Sequence, residues 1–250
     1  KTFASFDITV RNPGGHSMYP RPDNAIYELA DVIKRLQAYQ FPVMWNDTTI
    51  AYFRGTGPRT AGPLGEAMRR FADNPKDGAA VATLNASPLN IGIIRTTCIP
   101  TMLHGGHADN ALPQTAAVTV NCRIFPGVPI AEVQAKLLSL AGAGAEIKPL
   151  DDYAWSDASP LRPDVLAAVT RTVSTLYPQL PVVPLQESGA SDGVFFRGAG
   201  IPTYGVSEVF MKESDWFLHG LNERLPVRAF YDGLRFWSVL LRNIAGPASK

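Results

Sequence analysis

The chain has 250 residues, 46% hydrophobic and 18% charged, a globular balance that excludes a disordered polymer. With 23 basic residues against 22 acidic ones the formal charge is +1, which implies no nucleic-acid partner. No apolar run approaches the roughly 18 residues of a membrane span, so a soluble chain with no membrane partner is expected.

Opening at Lys1, with no targeting segment, the chain reads as a portion of a longer protein, and its compartment stays open between cytoplasm, periplasm and secretion. Residues 2–10 alternate, with Phe6, Ile8 and Val10 on one face, as a half-buried strand does. Asn12-Pro13-Gly14-Gly15 breaks the strand, and Asp23 or Asn24 can cap a helix whose apolar positions are Ile26, Leu29, Ile33 and Leu36. Residues 41–88 read as an insertion with one short amphipathic piece near Leu64 to Phe71. Two β-rich stretches follow, 90–103 and 116–125, then a helix marked by Ile130, Val133, Leu137 and Leu140, and a short strand near 145–149. The order strand, helix, strand, strand, helix, strand predicts a ferredoxin-like βαββαβ unit within an α/β chain. The polar run 151–159 marks a boundary, giving domains 1–152 and 153–250. In the second, a helix with Val165, Val169 and Leu176, strands at 182–185 and 202–206, and a closing helix with Phe230, Leu234, Trp237 and Leu241 on one side are expected. Two strands are few for an independent α/β domain, so this part reads as incomplete.

Four histidines offer chemistry. His104-Gly105-Gly106-His107 has ligand-like spacing, but two glycines are a poor frame for aiming a pair of imidazoles, and a turn with exposed histidines is the plainer reading. His219, before Gly220 and after Glu213 and Asp215, suits either a metal ligand or a surface position. His16, beside paired glycines, is either a turn histidine or one presented to a substrate or a neighbouring chain. Ser188-Gly189-Ala190-Ser191-Asp192-Gly193 can offer backbone N–H groups to an anion, or Ser191 or Asp192 can simply cap a helix. The same run fits the G-x-S-x-G pattern of a serine hydrolase, without a recognisable partner histidine and acid. Arg123, between apolar strand residues, suits a carboxylate or a structural ion pair. Cys98 and Cys122, each on a strand, read as packing residues rather than reactive thiols.

Together, several segments resemble one family. Gly14-Gly15-His16-Ser17, Pro20 and Asp23-Asn24-Ala25-Ile26 are similar to the start of the lid, or dimerisation, domain of metallopeptidase family 20. Its members include aminoacylases, acetylornithine and succinyl-diaminopimelate deacylases, and carboxypeptidases of the G2 and S types. Thr96-Thr97 through Gly106, Asn110-Ala111-Leu112-Pro113 and Asn121 to Gly127 resemble its second lid signature, closest to the carboxypeptidase S-like branch. Ser188 to Gly193 and His219 to Arg224 resemble its two C-terminal motifs.

The resemblance implies a two-zinc hydrolase that cleaves an amide next to a free carboxylate, on a peptide or an N-acyl amino acid, working as a homodimer through the lid. It implies that His219 is a ligand of one zinc and that His16 reaches the partner's active site to stabilise the tetrahedral oxyanion. Asn110 and Arg123 would hold the substrate, with Ser188, Gly189 and Ser191 adding contacts, and a glutamate would activate a zinc-bound water. The family's remaining ligands lie in an N-terminal segment with no counterpart here. There is no adjacent Glu-Glu pair, and His107-Ala108-Asp109, the one His-x-Asp, falls inside the lid signature as a coincidence. Gly193 stands where many relatives carry arginine. The chain alone is therefore expected to lack the dinuclear zinc and to be catalytically silent. The alternative is a non-catalytic dimerisation or ligand-binding module of the same descent.

Overall fold

A computed structural model describes residues 1–206, 209–215 and 217–246. The chain forms two compact units, one of residues 1–159 with 185–203, the other of residues 160–184 with 204–250.

The first unit is built on a four-stranded sheet of β1 (Thr2–Arg11), β3 (Thr97–Gly105), β5 (Thr115–Ile124) and β6 (Ala145–Pro149), in the order β3-β5-β1-β6 with antiparallel neighbours. Alternation in β1 sends Ala4, Phe6, Ile8 and Val10 into the core, and the β1–β5 register sets Phe6 opposite Val120 and Ile8 opposite Val118. Helices α1 (Ala25–Ala38) and α6 (Ile130–Ala141) pack against this apolar face through Leu29, Val32 and Leu36 and through Val133 and Leu137. This is the expected ferredoxin-like arrangement. A second, two-stranded sheet pairs β2 (Gly15–His16) with β4 (Ala111–Leu112).

Three details correct the sequence reading here. The buried stripe of α1 is Ala25, Leu29, Val32 and Leu36, the side that packs on the sheet core, while Ile26 is 47% exposed. The stretch before β3 is not strand throughout: residues 88–91 form a helix and β3 starts at Thr97, which also places His104 on β3 rather than in a turn. Cys98 and Cys122 are not free packing residues. They are directly opposed on β3 and β5 and form a disulfide.

Residues 41–95 carry four helices, α2 (Asp47–Thr56), α3 (Gly62–Asp73), α4 (Gly78–Asn85) and α5 (Pro88–Ile91). Asn46 and Asp77 cap α2 and α4, and Pro63 and Pro88 occupy first-turn positions where a missing N–H costs nothing. Phe53, Met68, Phe71, Leu84 and Ile94 form a separate core, with Phe53 and Phe71 edge-to-face at 5.2 Å.

In the second unit, α7 (Pro163–Leu176) packs on α9 (Val227–Ala245) through Ala168, Phe236 and Leu240. The strands expected at 182–185 and 202–206 are absent. A strand needs a hydrogen-bonded neighbour, and no segment among the described residues pairs with either. The apolar row Phe230, Leu234, Trp237 and Leu241 is the exposed side of α9, at 40–57% accessibility, and the packed side is Ala229, Gly233, Phe236 and Leu240.

Candidate functional site

His16 is presented by the β2–β4 pair, where it lies opposite Ala111 and where Ser17 N–H donates to the Asn110 carbonyl at 2.9 Å. The chain reaches this point through Gly14, whose φ of +73° is a left-handed conformation and whose Cβ would lie 2.7 Å from the Gln114 side chain. Asn12 fixes the approach. Its Oδ1 accepts Gly14 N–H at 3.1 Å, and its Nδ2 donates to Asp23 at 3.0 Å and to Glu28 at 2.9 Å. Asp23 also accepts from Arg21, and these bonds, Arg21 first and then Asn12, hold its carboxyl down at about 2. His16 Nδ1 accepts Met18 N–H at 3.1 Å, so in the neutral ring the proton sits on Nε2, as an exposed donor. Asn110 is exposed beside it.

The β2–β4 pair follows the Arg11/Thr115 end of the four-stranded sheet, and Arg123 stands at the opposite end of that larger sheet. Eight residue steps of β5 separate it from Thr115, which lies at the end nearer β2 and β4, roughly 25 Å of strand. Its guanidinium lies over the Phe3 ring at 5.7 Å, and no acidic partner faces it among the described residues. Lys1 links this end to the loop at 188–189. Its Nζ donates to the carbonyls of Arg95 and Arg123, and its backbone nitrogen donates to those of Glu187 and Gly189, at 3.3 and 3.2 Å. Burial, and then Arg123, push the Lys1 side-chain ammonium down to about 7. Ser191 precedes α8 (Gly193–Gly198), and neither Ser191 nor Asp192 caps that helix with its side chain. Arg197 Nε donates to Ser156 Oγ at 3.0 Å within the same region.

The sequence-predicted residues of the first unit thus fall into two groups. His16 and Asn110 lie together at the β2–β4 pair, beyond the Thr115 end of the four-stranded sheet, and Arg123 shares the other end of that sheet with Ser188 and Gly189. His219 belongs to the second unit, exposed, with a left-handed φ of +58° and its N–H donating to Glu223 Oε2 at 3.3 Å. Among the described residues no group of three or more His, Cys, Asp or Glu side chains could hold a metal ion, so the donor set present here does not make a metal centre. Asn12 and Lys1, which organise the two groups, carried no sequence signal beyond the turn that follows Asn12.

Residues 1–148 match the peptidase dimerisation domain of the M20 family. The chain belongs to that family. An M20 relative, the N-fatty-acyl-amino acid synthase/hydrolase PM20D1 of Xenopus tropicalis, is 28% identical over 251 residues, covering 97% of this chain and 48% of its own length. The human protein of the same name is 25% identical over 243 residues, covering 94% and 48%. The chain therefore spans about half the length of the curated relatives it matches. Among solved structures, the M20 metallo-carboxypeptidase Sso-CP2 of Sulfolobus solfataricus superposes with a TM-score of 0.65 at 17% identity, covering 98% of this chain and 58% of that one. That likeness concerns the fold. No helix among the described residues is long and apolar enough to cross a membrane.

Proposed function

We propose that this chain is the dimerisation and substrate-holding portion of a zinc-dependent M20 peptidase or amidohydrolase, which cleaves a peptide or N-acyl amide next to a free carboxylate. The observation that carries the reading is the separation of the two residue groups. His16 and Asn110 lie beyond the Thr115 end of the four-stranded sheet and Arg123 with the 188–189 loop at the other end, a length of strand greater than the span of a scissile amide and its neighbouring carboxylate. Two copies paired through the dimerisation domain would resolve this, each lending His16 to its partner's site. The Nε2–H donor of His16 suits a developing oxyanion. Arg123 suits the carboxylate, with Ser188, Gly189 and Ser191 beside it. His219 contributes one zinc ligand, and the others come from residues outside these 250. The exposed apolar row of α9 favours a larger fold around the second unit. By itself this chain is then without hydrolytic activity.

The test uses the natural reading frame with its upstream region, assayed on dipeptides and N-acyl amino acids. His16→Ala and Arg123→Ala should each lose activity. Mixing the two inactive proteins and allowing subunits to exchange should recover about a quarter of the parent rate, since half the dimers carry one intact site. No recovery, with exchange verified, overturns the shared site.

A further inference from the structure

The loop that the proposed function sets against the substrate carboxylate has no regular backbone pairing. Residues 181–187 form neither helix nor strand, so something else must hold Ser188 and Gly189 in place. The four-helix insertion supplies it. Gln186 is 7% exposed, and both ends of its amide are used: Oε1 accepts from Asn46 Nδ2 at 2.6 Å, and Nε2 donates to the Ile93 carbonyl at 3.4 Å. Asn46 is itself fixed as the N-cap of α2, its Oδ1 accepting Thr49 N–H at 2.9 Å, which leaves its NH2 to face Gln186. Two residues along, the insertion backbone meets the loop directly. A Cβ on Gly92 would lie 2.5 Å from Ser188 Oγ and 3.1 Å from Ser188 Cβ. Glu187 folds back so that its Oε1 accepts Gly189 N–H at 3.2 Å.

We propose that Gln186 is a positioning residue, through which the helical insertion sets the Ser188–Gly189 loop, and that the contact of Gly92 with Ser188 fixes the loop's height. The insertion is thereby a specificity element rather than an ornament on the dimerisation domain. Its separate core of Phe53, Phe71 and Leu84 gives it the stiffness this requires. That the loop meets a carboxylate rests on the function proposed above. That the insertion holds the loop rests on the contacts alone.

Two measurements keep these apart. The first is amide hydrogen exchange by mass spectrometry on the 250-residue chain and its Gln186→Met variant, which keeps the volume and removes both hydrogen bonds. Exchange over residues 186–191 should accelerate about tenfold, while peptides covering 53–72 keep their protection. Unchanged exchange over 186–191 overturns the proposal, and so does melting of the insertion core in parallel, which would make Gln186 merely structural. Should Gln186→Met fail to fold, Gly92→Ala displaces Ser188 without unpairing a buried amide. Faster exchange over 186–191 with a protected insertion core then supports the proposal, and unchanged exchange or a melted core overturns it. The second measurement, in the complete reading frame, is a KM raised about tenfold with kcat held within about twofold. Accelerated exchange with an unmoved KM leaves the positioning intact and removes the carboxylate role of the loop.

Discussion

Cys98 on β3 is bonded to Cys122 directly opposite it on β5, so a covalent rung joins the outermost strand of the sheet to its strand neighbour. The two residues are 24 apart, and closing such a loop removes entropy from the unfolded chain worth about 3.5 kcal/mol. Reduction with a dithiol, or the Cys98→Ser/Cys122→Ser pair, should lower the thermal midpoint by about 10 °C. Differential scanning calorimetry with and without reductant checks this. An unchanged midpoint would mean that strand pairing alone fastens β3.

The sheet itself was legible because alternation is a local signal. Phe6, Ile8 and Val10 report a buried face wherever the strand's partners lie. The disulfide was not, since nothing local reveals that a 24-residue excursion returns in register. Which side of α9 is packed was not legible for a related reason. A helix apolar on two sides has a stripe at helical spacing on each, and only the packing partner, α7, says which side is inside. Of the candidate site, the turn and motif residues His16, Asn110 and Arg123 stood out by their neighbours in sequence. Gln186 and Lys1 act through contacts to Asn46 and Arg95, 140 and 94 residues away, and no pattern along the chain encodes such pairings.

Asn24 is 6% exposed and its Oδ1 accepts the N–H groups of both Ile26 and Tyr27, at 2.9 and 3.1 Å. Asn24→Ala leaves two donors of the first turn of α1 without that acceptor, and should cost about 1–2 kcal/mol. Asn24→Ser, which keeps a capping oxygen, should restore most of it. Urea denaturation with a shared m-value measures both, and an alanine variant as stable as the parent would show the cap to be dispensable.

Lys1 makes stability depend on pH in a defined direction. Its ammonium is lowered from 10.5 to about 7, by burial first and Arg123 second. Between those values the unfolded chain binds more protons than the folded one, so stability rises with pH from about 7 to 10.5, by at most about 1.4 kcal/mol per pH unit. Below pH 7 the charge is carried in both states and the penalty of burying it is fully present. Lys1→Met should abolish this rise and be at least as stable as the parent at pH 6. Urea midpoints taken from pH 6 to 10 decide it. A parent profile that stays flat above pH 8 would contradict the assignment.

The edge of β3 is where the proposed pairing of copies can be tested. Among the described residues this strand has a neighbour on one side only, and Met102 and Leu103 on it are 54% and 65% exposed. Beside them Ile26 of α1 stands 47% exposed, and Ile26, Ile33, Leu103 and Ala116 line a shallow apolar depression. A free strand edge flanked by apolar side chains is costly for a solitary chain and suits a second copy related by a two-fold axis, where each edge meets its own kind. Leu103→Arg places a charge in that contact without disturbing the fold, since Leu103 packs little in the single chain. Sedimentation velocity at about 20 μM should show the parent as a dimer and the variant as a monomer, a weakening of at least about 100-fold. A dimer that survives Leu103→Arg with unchanged affinity would move the interface away from β3 and α1. It would also leave the sharing of His16 between copies without its geometric basis.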